Sequence, residues 1–398
     1  MRIKRIEAIG VSLPIDGELR HSYGTHVTFT RTIVRVHTDS GLVGIAETAA
    51  SPSRVEAIGE AAVGFSPWEL ERIKARIQQR FYWSREPLVA AAIEMACIDL
   101  QARSADVPAY DLLGGKVRAS LDMAAYLFFS HGGAIGQIKT PDEMASYAEA
   151  LAAAHGYRTF KLKAGVLDPR LELEVLGALR DRLGPDVRLR IDPNAAWHPA
   201  TASTLAPTLE KIGIEYLEDP APGIEGMAAV RSRTRLPLAT NMIVVDFPQL
   251  IPAVRRDAID VILADPWYWG GAHPTKTLAT LCEAAGLSIG MHSGIELGIG
   301  MAAMAHIGVT IPNLLLASDA HYHHLLDDVI QGPMLLPVNG TLKPPEGPGW
   351  GVEIDATKLE LYHQAYLDQD SAGVYEDGIG SNDPDPTRPG WFPIMPAW

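Results

Sequence analysis

From about Leu121 onward the chain alternates short apolar runs with stretches whose apolar residues recur at three- and four-residue steps. The runs are Met123 to Phe129, Thr159 to Lys163, Val187 to Ile191, Ile214 to Leu217, Val261 to Ala264 and Leu287 to Met291. Such a series predicts parallel strands joined by crossover helices, closing into an α/β barrel. One of the helices is marked at its start: Thr140-Pro141-Asp142-Glu143 supplies a cap, a proline at the first helical position and acidic first-turn residues. The region before Leu121 differs. Arg31 to Thr48 alternates β-branched and polar residues on both sides of Asp39-Ser40-Gly41, which predicts an antiparallel hairpin. Pro67 to Gly114 is helical in pattern, with Val89, Ile93, Ala96, Cys97 and Leu100 on one face. A small α+β unit is therefore expected over 1–120 and the barrel over 121–335. Ser371 to Trp398, dense in Pro, Gly and Asp, is expected to be a tail packed on the body or on a neighbouring subunit.

Polar residues end the apolar runs one after another. Lys161 and Lys163 close the first helix-flanked run, Asp192 follows Ile191, Glu218 follows Leu217, Asn241 follows Thr240, Asp265 follows Ala264 and His292 follows Met291. Most are spaced by about one strand–helix unit, roughly 25 to 30 residues. In a parallel barrel this collects them on one rim, at the C-terminal strand ends where barrel enzymes hold their sites.

Each position has a chemical reading. Asp192, Glu218 and Asn241 offer three hard oxygen ligands from neighbouring strands, a set suited to octahedral Mg²⁺ with positions left for substrate and water. Lys161 and Lys163, two apart in a strand, leave on one face. Held close, two ammonium groups should depress each other's charge and make Lys163 a general base. Asp265 can fix the tautomer of His292 from the adjacent strand, leaving the imidazole to act as acid or base on the other side of a substrate carbon. Together these groups fit proton abstraction next to a carboxylate, with a metal to stabilise the enediolate.

Composition narrows the partners. A net charge of −14, from 34 basic and 48 acidic residues, opposes nucleic-acid binding. The two cysteines, Cys97 and Cys282, sit in apolar helical patterns and form no disulfide framework. The N-terminus offers no signal segment and no apolar run spans a bilayer, so no membrane partner and a cytoplasmic enzyme are expected.

The stretches Phe160 to Lys163, Ile191 to Ala195, Glu215 to Pro220, Ala239 to Met242, Ala264 to Pro266, and Met291 to Ser293 resemble the enolase superfamily, mandelate racemase subgroup, and within it the glucarate dehydratases. The resemblance implies a (β/α)7β (modified TIM) barrel with an α+β capping domain, to which segment 336–398 returns. It also implies a homo-oligomer and Mg²⁺-dependent dehydration of an acid sugar. By the same resemblance His26, Tyr126, Asn194, Ser293 and His321 match positions that hold the substrate's hydroxyls and distal carboxylate, and the loop His21 to Thr28 closes over it. Two departures, Gly294 and Glu296 after the His-Ser pair and the absence of a threonine around Ser84 to Glu86, imply a distal pocket different from that of the glucarate enzymes.

Overall fold

The computed structural model describes residues 1–22, 24–84, 86–134, 136–368, 379–380 and 398. Eight parallel strands form the barrel: β4 (Leu121–Leu127), β6 (Thr159–Lys163), β7 (Arg188–Asp192), β8 (Tyr216–Glu218), β9 (Leu238–Thr240), β10 (Val261–Ala264), β11 (Ser288–Met291) and β12 (Ser318–Ala320). The ring runs in that order and β12 returns to pair with β4; at the β11 side of the seam Ile289 makes a single bridge to Leu314, in the segment leading into β12. A helix of nine residues or more follows each of the first seven strands, which gives the expected (β/α)7β barrel. The helix Pro141–His155 starts on the anticipated signal: the Thr140 side chain accepts from Glu143 N–H and the Glu143 side chain accepts from Thr140 N–H.

The cap is an antiparallel sheet of β1 (Ile3–His21), β2 (Gly24–Thr38) and β3 (Val43–Thr48), backed by helices that include Pro87–Ala105. The hairpin β2–β3 was legible in the sequence. The 19-residue β1 was not, because Pro14 and Gly17 interrupt its pattern as a turn would. The sheet absorbs them in a register shift between Pro14 and Leu19. Past that shift the strand reaches the barrel mouth, where β5 (Phe129–His131) pairs with it. The helix Ala356–Leu367 packs back on β1, with the His363 ring bonded to the Gly10 carbonyl. Of the tail, only Ile379, Gly380 and Trp398 fall within the described residues. Ile379 pairs with His26, and the backbone of Trp398 bonds with Ala196 and His198. Among the described residues no helix is long and apolar enough to cross a membrane.

Glu47, at the end of β3, joins cap to barrel. Its side chain accepts from Leu297 N–H at 2.7 Å, and its carbonyl accepts from the Trp267 indole at 2.6 Å. Burial pushes its carboxyl up to about 8, despite the nearby backbone donors and Arg31. A folded value above that of the unfolded chain means that the native state holds a proton the unfolded state releases, so this group's contribution to stability is lost as pH rises toward 8. Glu47→Gln keeps the acceptor but cannot ionise. Its melting temperature should match wild type near about pH 5 and exceed it near about pH 9; equal declines in both proteins would exclude Glu47 as the titrating group.

Candidate active site

The parallel register determines which side chains meet. Lys163 and Asp192 are register partners on β6 and β7, and Glu218 on β8 lies opposite Ala239, two residues before Asn241. Asp265 follows β10, His292 follows β11, and β12 contributes Asp319 and, just beyond it, His321. A cavity of about 450 Å³ opens among these strand ends beneath the β1–β2 tip, lined by Lys163, Asn194, Asn241, His292, Ser293 and His321, with His21 and His26 coming from the cap.

Among the described residues, three buried acceptors of this region have no hydrogen-bond donor: Asn241 Oδ1 and Asn194 Oδ1, whose residues line the cavity, and Glu218 Oε1 on the adjoining strand end. Buried oxygens left this way carry a desolvation cost unless something positive meets them, and the all-oxygen donor set fits a hard divalent cation. Asp219 also lies within reach of Asp192 and Glu218; the oxygens of Asp192 accept from Asn194 and Lys163 inside the site, whereas those of Asp219 are turned to the backbone and hydroxyl of the next strand end. Oδ1 accepts from the Thr240 hydroxyl at 2.6 Å, and Oδ2 accepts from Asn241 and Met242 N–H at 2.9 and 3.1 Å. Asp219 therefore shapes the turn that carries Asn241. Burial, reinforced by Asp192, drives the Glu218 carboxyl well above its ordinary value, as expected where two carboxylates share a dry site.

The lysines do not behave as the two-ammonium argument expects. Lys161 is fully buried and bonded to Glu218 at 2.7 Å and Asp319 at 2.5 Å, while Lys163 is bonded to Asp192 at 2.6 Å. Burial pulls Lys163 down, but Asp192 and Glu218 more than offset it and the ammonium is held above its usual range. The acidic residues around the pair dominate the lysine–lysine repulsion.

His292 Nδ1 lies 3.0 Å from Asp265 Oδ2, whose other oxygen accepts from Trp267 N–H. Burial, then Lys161 and Lys163, hold the imidazole well below its normal range, so it is neutral. Burial raises the Asp265 carboxyl to about 7; above that value it is ionised, and the bond then places the ring proton on Nδ1 and leaves Nε2 to accept.

His26, Asn194, Ser293 and His321 all line the cavity. Tyr126, expected on the substrate, does not. It is fully buried beneath the lysines, which sit 4.4 and 4.8 Å from its ring centre, and its hydroxyl donates to Asp319, so it supports the lysines from below. His323 and His324 both place Nε2 against the Tyr126 carbonyl, a structural role. The sequence reading missed Asp319 as a partner of Lys161, Arg190 and Tyr126; its position at the end of the eighth strand was the available signal. In the Ser84 to Glu86 departure, Arg85 lies outside the described residues, and Glu86 pairs with Arg54.

Comparison with known proteins agrees with this architecture. Residues 7–114 match the mandelate racemase / muconate lactonizing enzyme N-terminal domain, and residues 143–358 match the enolase C-terminal domain-like family. A probable glucarate dehydratase from Streptomyces coelicolor is 33% identical, covering 97% of this chain and 96% of that protein. An N-succinyl-L-Arg/Lys racemase from Bacillus cereus is 25% identical over 90% of this chain and 97% of that protein. Among solved structures, an enolase from Mycobacterium smegmatis complexed with tartrate superposes with a TM-score of 0.92 at 36% identity, covering 100% of this chain and 98% of that one. One from Thermobispora bispora complexed with magnesium and formate does so with a TM-score of 0.92 at 36% identity, covering both chains in full. With both domains matched and its strand-end residues gathered at one mouth, the chain belongs to the enolase superfamily, in its mandelate racemase subgroup.

Proposed function

We propose that this protein dehydrates an acid sugar, an aldarate or aldonate, to a 2-keto-3-deoxy acid with Mg²⁺ held by Asp192, Glu218 and Asn241. The observation that carries the reading is the placement of His292, its Nδ1 3.0 Å from Asp265, in the cavity that Lys163, Asn194 and Asn241 also line. Mg²⁺ would supply Lewis-acid stabilisation of the charge that develops on a substrate carboxylate as its α-proton leaves. The remaining work falls to the chain. His292 Nε2 takes the proton from Cα, and the C–H electron pair becomes the Cα=Cβ bond as the bond to the β-oxygen breaks. The imidazolium, stabilised by Asp265, returns its proton to that oxygen, which leaves as water. The enol then tautomerises. One group serving both steps implies syn loss of water. The Lys163 ammonium adds positive charge beside the carboxylate, and the cap residues His21 and His26 help exclude solvent.

A racemase or epimerase reading draws on one observation: β6 and β11 lie three places apart around the eight-strand ring, by way of β12 and β4, so Lys163 and His292 enter the cavity from different sides and could serve two faces of a substrate carbon. Incubating the protein with Mg²⁺ and a panel of aldarates and aldonates in D₂O separates the two. Keto-acid formation is expected. Deuterium uptake at Cα without keto acid would replace dehydration by epimerisation.

A further inference from the structure

Beside the His292–Asp265 pair a second imidazole faces the cavity, and its support is Glu296, a residue with no part in the chemistry above. The Ser293 hydroxyl lies 2.5 Å from Glu296 Oε2 and 2.8 Å from His321 Nδ1, and it also accepts from His321 N–H at 3.2 Å. The other oxygen of Glu296 accepts from Gly294 N–H at 2.6 Å. Glu296 and Ser293 are 2% and 0% exposed, so water does not compete for these bonds.

We infer that Glu296, acting through Ser293, is a positioning residue that locks His321 in the Nδ1–H tautomer, so that its Nε2 lone pair faces the cavity as a subsite for a substrate hydroxyl. A serine hydroxyl has one proton and two lone pairs. Burial, reinforced by Asp265, raises the Glu296 carboxyl to about 7; above that value it is ionised and can only accept, so the Ser293 proton is directed to it, the serine lone pairs receive His321 N–H and Nδ1–H, and Nδ1 carries the ring proton. The aromatic rings of Phe29, Tyr126 and Phe128 surround His321, and burial with Lys163 nearby disfavours the imidazolium. An imidazole in this state accepts from O–H and offers a carboxylate no proton. The tautomer is independent of the proposed dehydration; only the identification of the ligand as a sugar hydroxyl rests on it.

The test is long-range ¹H–¹⁵N correlation spectroscopy of the whole protein labelled with ¹⁵N-histidine, with the His321 signals assigned from their absence in His321→Gln. Wild type is expected to show a protonated Nδ1 and an unprotonated Nε2. Ser293→Ala and Glu296→Gln should each move a measurable fraction of the proton to Nε2. A wild-type His321 protonated at Nε2, or an Nδ1–H signal unchanged in both variants, would overturn the relay. Should wild type show the Nδ1–H form and yet dehydrate no acid sugar, the relay stands and the acid-sugar reading falls.

Discussion

Lys163→Ala is expected to lower keto-acid formation by about 10²- to 10⁴-fold, the usual contribution of a positioned proton-transfer or charge-stabilising group, while leaving Mg²⁺ binding intact. Lys163 bonds Asp192 without supplying a ligand atom itself, so its removal frees a carboxylate oxygen. His292→Asn should be at least as damaging. Asparagine can still donate to Asp265 but cannot take a proton from carbon and return it to oxygen. Steady-state rates for both variants, measured beside calorimetric Mg²⁺ titrations, decide the matter. Wild-type turnover in either variant with metal bound would sink the assignment of that residue.

Glu218→Gln should abolish tight Mg²⁺ binding without destabilising the metal-free protein. In the metal-free site Glu218 is buried against Asp192, and both burial and that neighbour oppose its charge. Glutamine keeps an acceptor for Lys161 while removing a carboxylate whose ionisation is costly there. The metal-free melting temperature should therefore equal or exceed that of wild type. Wild type should gain about 2.7 kcal/mol when Mg²⁺ stands at 100 times its dissociation constant, and the variant should gain almost none. A full Mg²⁺-induced rise in the variant would remove Glu218 from the ligand set.

Residues acting through strand position were legible because a barrel strand converts sequence spacing into spatial order. Asp192, Glu218, Asn241, Asp265 and His292 each end or follow a short apolar run; Asn241 and His292 line the cavity, Asp192 and Asp265 bond its Lys163 and His292, and Glu218 lies beside Asp192. Groups that act through partners distant in sequence were not legible. Asp319 meets Lys161 across the closure of β12 onto β4, 158 residues apart, and no local pattern records that contact. Tyr126 was misplaced for the same reason: its β4 position specifies a face of the strand, while the depth to which the ring sinks depends on the lysines above it and on Asp319 beside it.

The sequence by itself determined the barrel, the hairpin of the cap, and the identity and rim position of the proton-transfer and ligand candidates, because hydrophobic periodicity sets the strands and strand ends set the rim. Only the tertiary structure decided the electrostatic state of those groups. Whether Lys163 is lowered by Lys161 or raised by Asp192 and Glu218 depends on which charges lie within a few ångströms after the barrel closes. Which nitrogen of His321 carries the proton likewise depends, through Ser293, on Glu296, whereas the partner that orients His292, Asp265, was already given by adjacent strand ends. Spacing along a chain places a residue; the charge it carries belongs to its neighbours.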